Sequence, residues 1–274
     1  MTMPPTPPRG LEVAIAAGKA AGAIALEDFR KPHDVSVKGR GNLVTETDFR
    51  IERFLQETFR REFPSHAILS EETAADTPIE GWVWVIDPLD GTKNFVSGIP
   101  FFCVNIALCY DGHPVVAVTY DPSHAECFSA ERGKGAFVNG QPIHTSAKAT
   151  VQQSMLGVDI GYDDDRGRAT LRMVNKLFPQ MQGLRIPGSA ALGLAYASCG
   201  RYDLFIHRYL LPWDIAAGIL LVQEAGGVIT GETGEPIDIT SRTALGGGVL
   251  VHGDFLAWQQ AHHKELAPPT QMKP

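Results

Sequence analysis

Apolar positions recur at helical spacing from Leu11 to Phe29 among good helix formers, and Pro32 stops the run. Gly18 and Gly22 inside it predict that another element packs close. The polar, glycine-bearing stretch Lys38 to Asn42 reads as a loop able to reach an anionic ligand. A second helix is expected behind Leu43 to Asp48, with Ile51, Phe54, Leu55, Phe59 and Phe63 apolar, Thr47 or Asp48 as N-cap and Pro64 at its end. Ala67 to Leu69 reads as a short strand followed by Ser70, Glu71 and Glu72, two adjacent acids of a kind usually solvated. Val83 to Ile86, β-branched and aromatic between Gly81 and Pro88, is too short for a helix and reads as a buried strand that delivers Asp87. Pro88 lacks a donor and is expected to stop the ladder there, while Gly91 allows close approach before a helix starting near Thr92, whose amides suit an anion.

Cys103 to Tyr110, Pro114 to Tyr120 and Glu126 to Ala130, separated by Asp111-Gly112 and Asp121-Pro122, predict an antiparallel meander. Gly133 to Ile143 extends it through an Asn139-Gly140 turn, and Ser146 to Val151 reads as a junction. Two halves are therefore expected, an α+β half over 1–145 and an α/β half over 146–266. The second offers a strand from Met155 to Ile160, a helix capped by the acidic cluster Asp163 to Asp165, and a helix from Ser189 to Cys199 ended by Gly200. Tyr202 to His207 reads as a strand, and Trp213 to Ala225 as a helix closed by Gly226 and Gly227. Val228 to Thr230 and Val249 to His252 read as strands, with Asp254 capping the last helix and a Pro-rich tail, 267–274, expected to be disordered.

With 274 residues, 44% hydrophobic and 20% charged, the chain has globular composition and length for one large or two closely joined domains. A formal charge of −7 without a block of consecutive basic residues argues against nucleic acid as partner. Cys103, Cys109, Cys127 and Cys199 lack Cys-x-x-Cys spacing and scaffold density, so free thiols in a reducing compartment are expected, not zinc. Met1 to Gly10 has no basic region, and the following segment carries Glu12, Lys19, Glu27 and Asp28. Neither a signal peptide nor a membrane span is expected, and the cytoplasm is the expected compartment.

Glu71, Asp87, Asp90 and Asp214 each follow a strand-like run or open a helix, where α/β folds collect ligand sites. The Asp-x-Asp-Gly-Thr signature of haloacid dehalogenase phosphatases does not fit. Two residues, Pro88 and Leu89, separate the aspartates, and the motif lies well inside the chain. Four carboxylates converging on one point carry about −4 charge and repel a phosphate dianion unless cations intervene. Oxygen-only ligation suits Mg²⁺; two ions bring the cluster near neutrality and a third leaves it favourable for phosphate.

Together with Asp48 and Thr92, these acids resemble the inositol monophosphatase family of magnesium-dependent, lithium-sensitive sugar and inositol phosphatases, over most of the chain. Asp87-Pro88-Leu89-Asp90-Gly91-Thr92 matches its first metal motif and Glu71-Glu72 its upstream acid pair. Val44, Thr45, Thr47 and Asp48 match its threonine-to-aspartate segment, Trp213 to Gly218 its second aspartate motif, and Gly188 to Ala191 a helix start that contacts substrate. The resemblance implies an α/β (α+β) fold, a layered α-β-α-β-α sandwich, commonly as a homodimer. It implies two or three Mg²⁺ ions on Glu71, Asp87, the Leu89 carbonyl, Asp90 and Asp214, and metal-activated water polarised by Glu71 and by Thr92 paired with Asp48. Substrate contacts are implied for Asp90, Gly91, Thr92, Gly188, Ser189, Ala190, His207 and Asp214.

The chain departs from the family pattern at Asn42, where aspartate is frequent, and at Lys38, one residue nearer the motif than the family's lysine. His207 stands where the family's substrate-reading glutamate does, seven residues before Asp214. It is expected either to face the leaving group, with Arg208 beside it favouring a second anionic group, or to pack away. The expected substrate is a small sugar or inositol phosphate, first myo-inositol 1-phosphate. Fructose 1,6-bisphosphate, histidinol phosphate and 3′-phosphoadenosine nucleotide are alternatives, and a protein-interaction role with secondary catalysis is a reading of another class. His113, His124, His144, His252, His262 and His263 lack metal spacing and take no role.

Overall fold

The computed structural model describes residues 4–31, 35–39, 42–73 and 78–266. The first half opens with α1 (Gly10–Asp28), a hairpin of β1 (Val35–Gly39) and β2 (Asn42–Thr45), and α2 (Glu46–Glu62). A seven-stranded sheet follows in sequence order: β3 (Ala67–Ser70), β4 (Trp82–Asp90), β5 (Cys103–Tyr110), β6 (His113–Asp121), β7 (Glu126–Glu131), β8 (Ala136–Val138) and β9 (Gln141–Pro142), with α3 (Thr92–Val96) after β4. Within this sheet, among the described residues, only β3 and β4 pair in parallel. The second half adds β10 (Met155–Val158), α4 (Asp164–Leu177), β11 (Gly183–Arg185), α5 (Ala190–Ser198), β12 (Leu204–His207), α6 (Pro212–Glu224), β13 (Val228–Thr230), β14 (Ala244–Gly247) and α7 (Val249–Leu266). Its five-stranded sheet runs β11-β10-β12-β14-β13.

Strand alternation sorts the layers. Trp84 and Ile86 of β4 meet Ile51, Leu55 and Phe59 of α2 and the alanine face of α1, whereas Val83 and Val85 join α5 and α6. On the second sheet Phe205 and Ala244 belong to the α5 and α6 core, while Leu204, Ile206 and Leu245 pack with Met173 and Leu177 of α4 and Val251 and Phe255 of α7. The result is the α-β-α-β-α sandwich. Gly22 confirms the close approach of α1, since a Cβ there would lie 2.4 Å from the Tyr120 ring. Among the described residues no helix is long and apolar enough to cross a membrane.

Local differences from the sequence reading have physical causes. Lys38 and Asn42 belong to paired strands, with Gly39 opposite Asn42, so the expected loop does not span 38–42; residues 40–41 and the Lys38 side chain lie outside the described residues. The N-cap of α2 is Thr45; Asp48, at the third helical position, turns back to accept the Thr45 N–H at 2.9 Å and its hydroxyl at 2.5 Å. Strand β4 does not stop at Pro88: Asp87 faces Asn105 and Asp90 faces Cys103, so one extra residue bulges out and proline sits where no ladder donor is needed. Val249 to His252 is the first turn of α7, not a strand; Val251 and His252 are buried while Val249 and Leu250 are exposed, so only one side of this turn joins the core. Asp254 lies within α7 and accepts the Val151 N–H at 2.8 Å instead of capping. The tail 267–274 lies outside the described residues.

The α5–α6 contact at the centre of the sandwich depends on Gly218, where a Cβ would lie 2.4 Å from Leu194 Cδ1 and 2.8 Å from its Cβ. Gly218→Val is expected to lose about 1–3 kcal/mol through overpacking. Urea unfolding measures it, and an unchanged midpoint contradicts it.

Candidate active site

Parallel pairing of β3 and β4 sets Ser70 beside Ile86, and the Glu71 N–H donates to Ile86 O at 3.2 Å. Glu71 and Asp87 therefore emerge together at one edge, Glu71 half-buried and not fully solvated. The bulge that follows folds back: Leu89 N–H donates to Asp87 Oδ1 at 3.0 Å. Gly91 then takes φ 91°, and a Cβ there would lie 3.0 Å from the Phe101 carbonyl, so the turn into α3 needs glycine. Thr92 Oγ1 lies 3.0 Å from Leu89 O and 3.3 Å from Asp48 Oδ1, which joins α2 to the motif.

The second half closes the site with two helix starts. Ser189, the N-cap of α5, donates its hydroxyl to Asp90, and the Ala190 and Ala191 amides donate there too. Gly188 stands at φ 76°, where a Cβ would lie 3.1 Å from the Asn94 amide that binds Phe101 O and Pro187 O. At the start of α6, Asp214 Oδ2 accepts the Leu211 N–H at 2.7 Å. Asn105 of β5 donates to Trp213 O at 2.7 Å and is itself oriented by Thr119, so that helix start is fixed on the first sheet.

These elements enclose a cavity of about 270 Å³ lined by Glu71, Asp87, Leu89, Asp90, Gly91, Thr92, Gly188, Ser189, Ala190, His207 and Asp214. Carboxylate oxygens of Asp87, Asp90 and Asp214 lie within 4.8 Å of one another. Asp48 is not among the lining residues and reaches the cavity through Thr92. Burial, then repulsion from Glu71, Asp90 and Asp214, pushes Asp87 well above the usual carboxylate range. Burial, Asp90 and Glu71 do the same to Asp214 against the Leu211 amide, and burial lifts Asp90 to about 6 despite the Ser189 and amide donors. Such an all-oxygen, mutually repelling donor set fits hard divalent cations.

His207 lines the cavity, the first of the two placements expected for it. Its buried ring is held down to about 3 by desolvation, and its Nδ1 accepts the Tyr209 N–H at 3.0 Å, so it is neutral with hydrogen on Nε2. Arg208 does not join it. Alternation along β12 turns Arg208 to the opposite face, where it is buried against Glu232, Thr170 and Met173. Asn42 reaches the cavity rim. Sequence reasoning missed Lys93, Asp159, Tyr162 and Tyr209, which also line it. Asp159 follows the end of β10, and an acid at a strand end is a signal the sequence carries; the aromatic pair carries none.

The sequence profile of the inositol monophosphatase family matches residues 9–271. Inositol monophosphatase 3 of Solanum lycopersicum is 41% identical over 243 residues, covering 85% of this chain and 89% of that relative. The Nus factor SuhB of Pseudomonas aeruginosa is 40% identical over 235 residues, covering 82% and 86%. The solved inositol monophosphatase of Anabaena (Nostoc) superposes with a TM-score of 0.82 at 35% identity, covering 96% of this chain and 98% of that one.

Asp87, Asp90 and Asp214 hold protons more tightly folded than unfolded, so in the metal-free protein they lower stability as pH rises through their folded pKa values. Asp214→Asn is therefore expected to raise the melting temperature in EDTA, most at pH 8 and less at pH 6. The histidine contributions cancel in that comparison. A variant less stable than the parent at pH 8 contradicts the prediction.

Proposed function

The chain belongs to the inositol monophosphatase family, and from that membership we propose that it is a Mg²⁺-dependent phosphomonoesterase acting on a small sugar or inositol phosphate, first myo-inositol 1-phosphate. The observation that carries this reading is the set Asp87, Asp90 and Asp214, with oxygens within 4.8 Å in a cavity that Glu71 also lines. Glu71, Asp87, Asp90, Asp214 and the Leu89 carbonyl are the groups that would hold two or three ions. Bound there, hard cations supply the positive charge that a phosphate dianion and a departing alkoxide require.

The chain's own groups handle the water. Thr92 directs its hydroxyl hydrogen toward Asp48 Oδ1 or Leu89 O, at 3.3 and 3.0 Å, and keeps a lone pair to orient water. Glu71 accepts the proton as the water oxygen attacks phosphorus in line with the leaving oxygen. Gly91, lacking a side chain, gives the phosphate room, and Gly188, Ser189 and Ala190 form the opposite wall. Asp87 turns one oxygen back onto Leu89 N–H and sits among other carboxylates, an arrangement suited to holding cations and not to attacking phosphorus. No phosphoenzyme forms.

A role in protein contacts is a second reading, favoured by the SuhB relative named as a Nus factor. The complete acidic set with Thr92 and Asp48 supports catalysis. Phosphate release across sugar, inositol, histidinol and nucleotide phosphates tests the proposal, with activity expected in Mg²⁺ and lost in EDTA. Thr92→Ala is expected to lower kcat by about 10²-fold or more. Full turnover in chelator, or acid-quench trapping of phosphorylated Asp87, contradicts it.

A further inference from the structure

The five-stranded sheet brings two side chains to the cavity that the water chemistry does not use. Strands β10 and β12 run parallel with Val158 opposite Ile206, and the Asp159 N–H donates to Ile206 O at 3.1 Å. One residue further on, Asp159 and His207 leave neighbouring strand ends side by side, and both line the cavity. Strand ends of this kind are where α/β sheets place ligand contacts.

Their hydrogen-bonding capacities are complementary. Asp159 is buried, and its Oδ1 accepts Ile160 N–H at 3.1 Å while Oδ2 accepts Gly188 N–H at 2.9 Å, with the Ser189 amide also donating to it. A carboxylate has about four acceptor positions, so one remains for a ligand. His207 has spent Nδ1 on the Tyr209 amide and keeps Nε2–H as a donor. A fixed acceptor therefore stands next to a fixed donor. Two adjacent hydroxyls match that pair, one donating to Asp159 and the other accepting from His207.

Charge narrows the class further. Lys93 is the only lysine or arginine among the described residues that line the cavity, and its ammonium lies 4.5 Å from the Tyr162 ring centroid. Asp159 feels that charge directly, so the two offset each other. Arg208 points away. This end of the cavity is close to neutral, which suits an uncharged polyol over a second phosphate.

Resting on the reading that the carboxylate cluster holds the phosphate, we propose that Asp159 and His207 form a hydroxyl-reading pair that selects a leaving alcohol bearing a vicinal diol. Asp159 supplies the carboxylate acceptor that position 207 lacks, and thereby determines specificity.

The test is a cycle between enzyme variants and deoxygenated substrates. kcat/KM is measured with myo-inositol 1-phosphate, its monodeoxy analogues and 4-nitrophenyl phosphate, for the parent, Asp159→Ala and His207→Phe. The parent is expected to lose about 10- to 100-fold on removal of either of two adjacent hydroxyls, the scale of hydrogen bonds to charged or buried groups. Asp159→Ala should lose the same factor on the full substrate, no longer distinguish the analogue lacking its hydroxyl, and lose less by that factor on 4-nitrophenyl phosphate. His207→Phe should do the same for the neighbouring hydroxyl, and it carries the test alone if Asp159→Ala does not fold. Equal losses on both kinds of ester, or variants that still discriminate the analogues, overturn the pair and leave Asp159 a support for Gly188. Absence of phosphate release by the parent from every ester would instead remove the phosphatase reading, and the pair with it.

Discussion

Carboxylates that repel one another inside a partly dry cavity are the constraint the rest of this fold has to satisfy. Three of them are tethered by backbone amides, Asp87 by Leu89 N–H, Asp214 by Leu211 N–H and Asp90 by the first amides of α5, and Asp48 behind Thr92 is held likewise by Thr45 N–H. An amide tether fixes a carboxylate and stabilises its ionised form without a neutralising partner, so the negative field stays directed into the cavity. The bulge in β4, the glycine at 91 and the Asn105 contact to Trp213 serve the same end. Burial and mutual repulsion at this cluster cost stability, which the proposed cations would offset.

Much of this was legible in the chain because strand ends and helix starts are local signals. Val83 to Ile86 announced a strand, and the acids after it announced a site. What could not be read was direction. Pro88 has the same sequence signature whether it ends a ladder or sits in a bulge, and only the pairing of Asp90 with Cys103 decides between them. His207 and Arg208 look like one polar pair until alternation separates them by the thickness of a sheet. Val249 to His252 has strand composition, yet it opens α7 with only Val251 seated in the core, a long-range fact. Asp159 lies just beyond β10 in an apolar run, whereas Asp87 lies within β4 ahead of the bulge, and strand composition alone does not single Asp159 out.

The cavity is therefore electrostatically divided. Its acidic part, shared by both halves of the chain, calls for cations and phosphate; its other part, where Lys93 offsets Asp159 and His207 is neutral, presents hydrogen bonds without net charge. In the proposed reading one set of residues defines the reaction and the other the alcohol. Fixed backbone tethers on both sides keep the two registered, as preorganised sites require.

Proton release on cation binding measures whether divalent cations compensate the cluster's charge in place of protons. Isothermal titration of Mg²⁺ into the metal-free protein at pH 6.5, in buffers of different ionisation enthalpy, measures both binding and the protons it displaces. With Asp87 and Asp214 held above the usual carboxylate range, binding should release protons, and the number released should fall as pH rises. Binding without proton release at any pH, or no binding, would contradict the account.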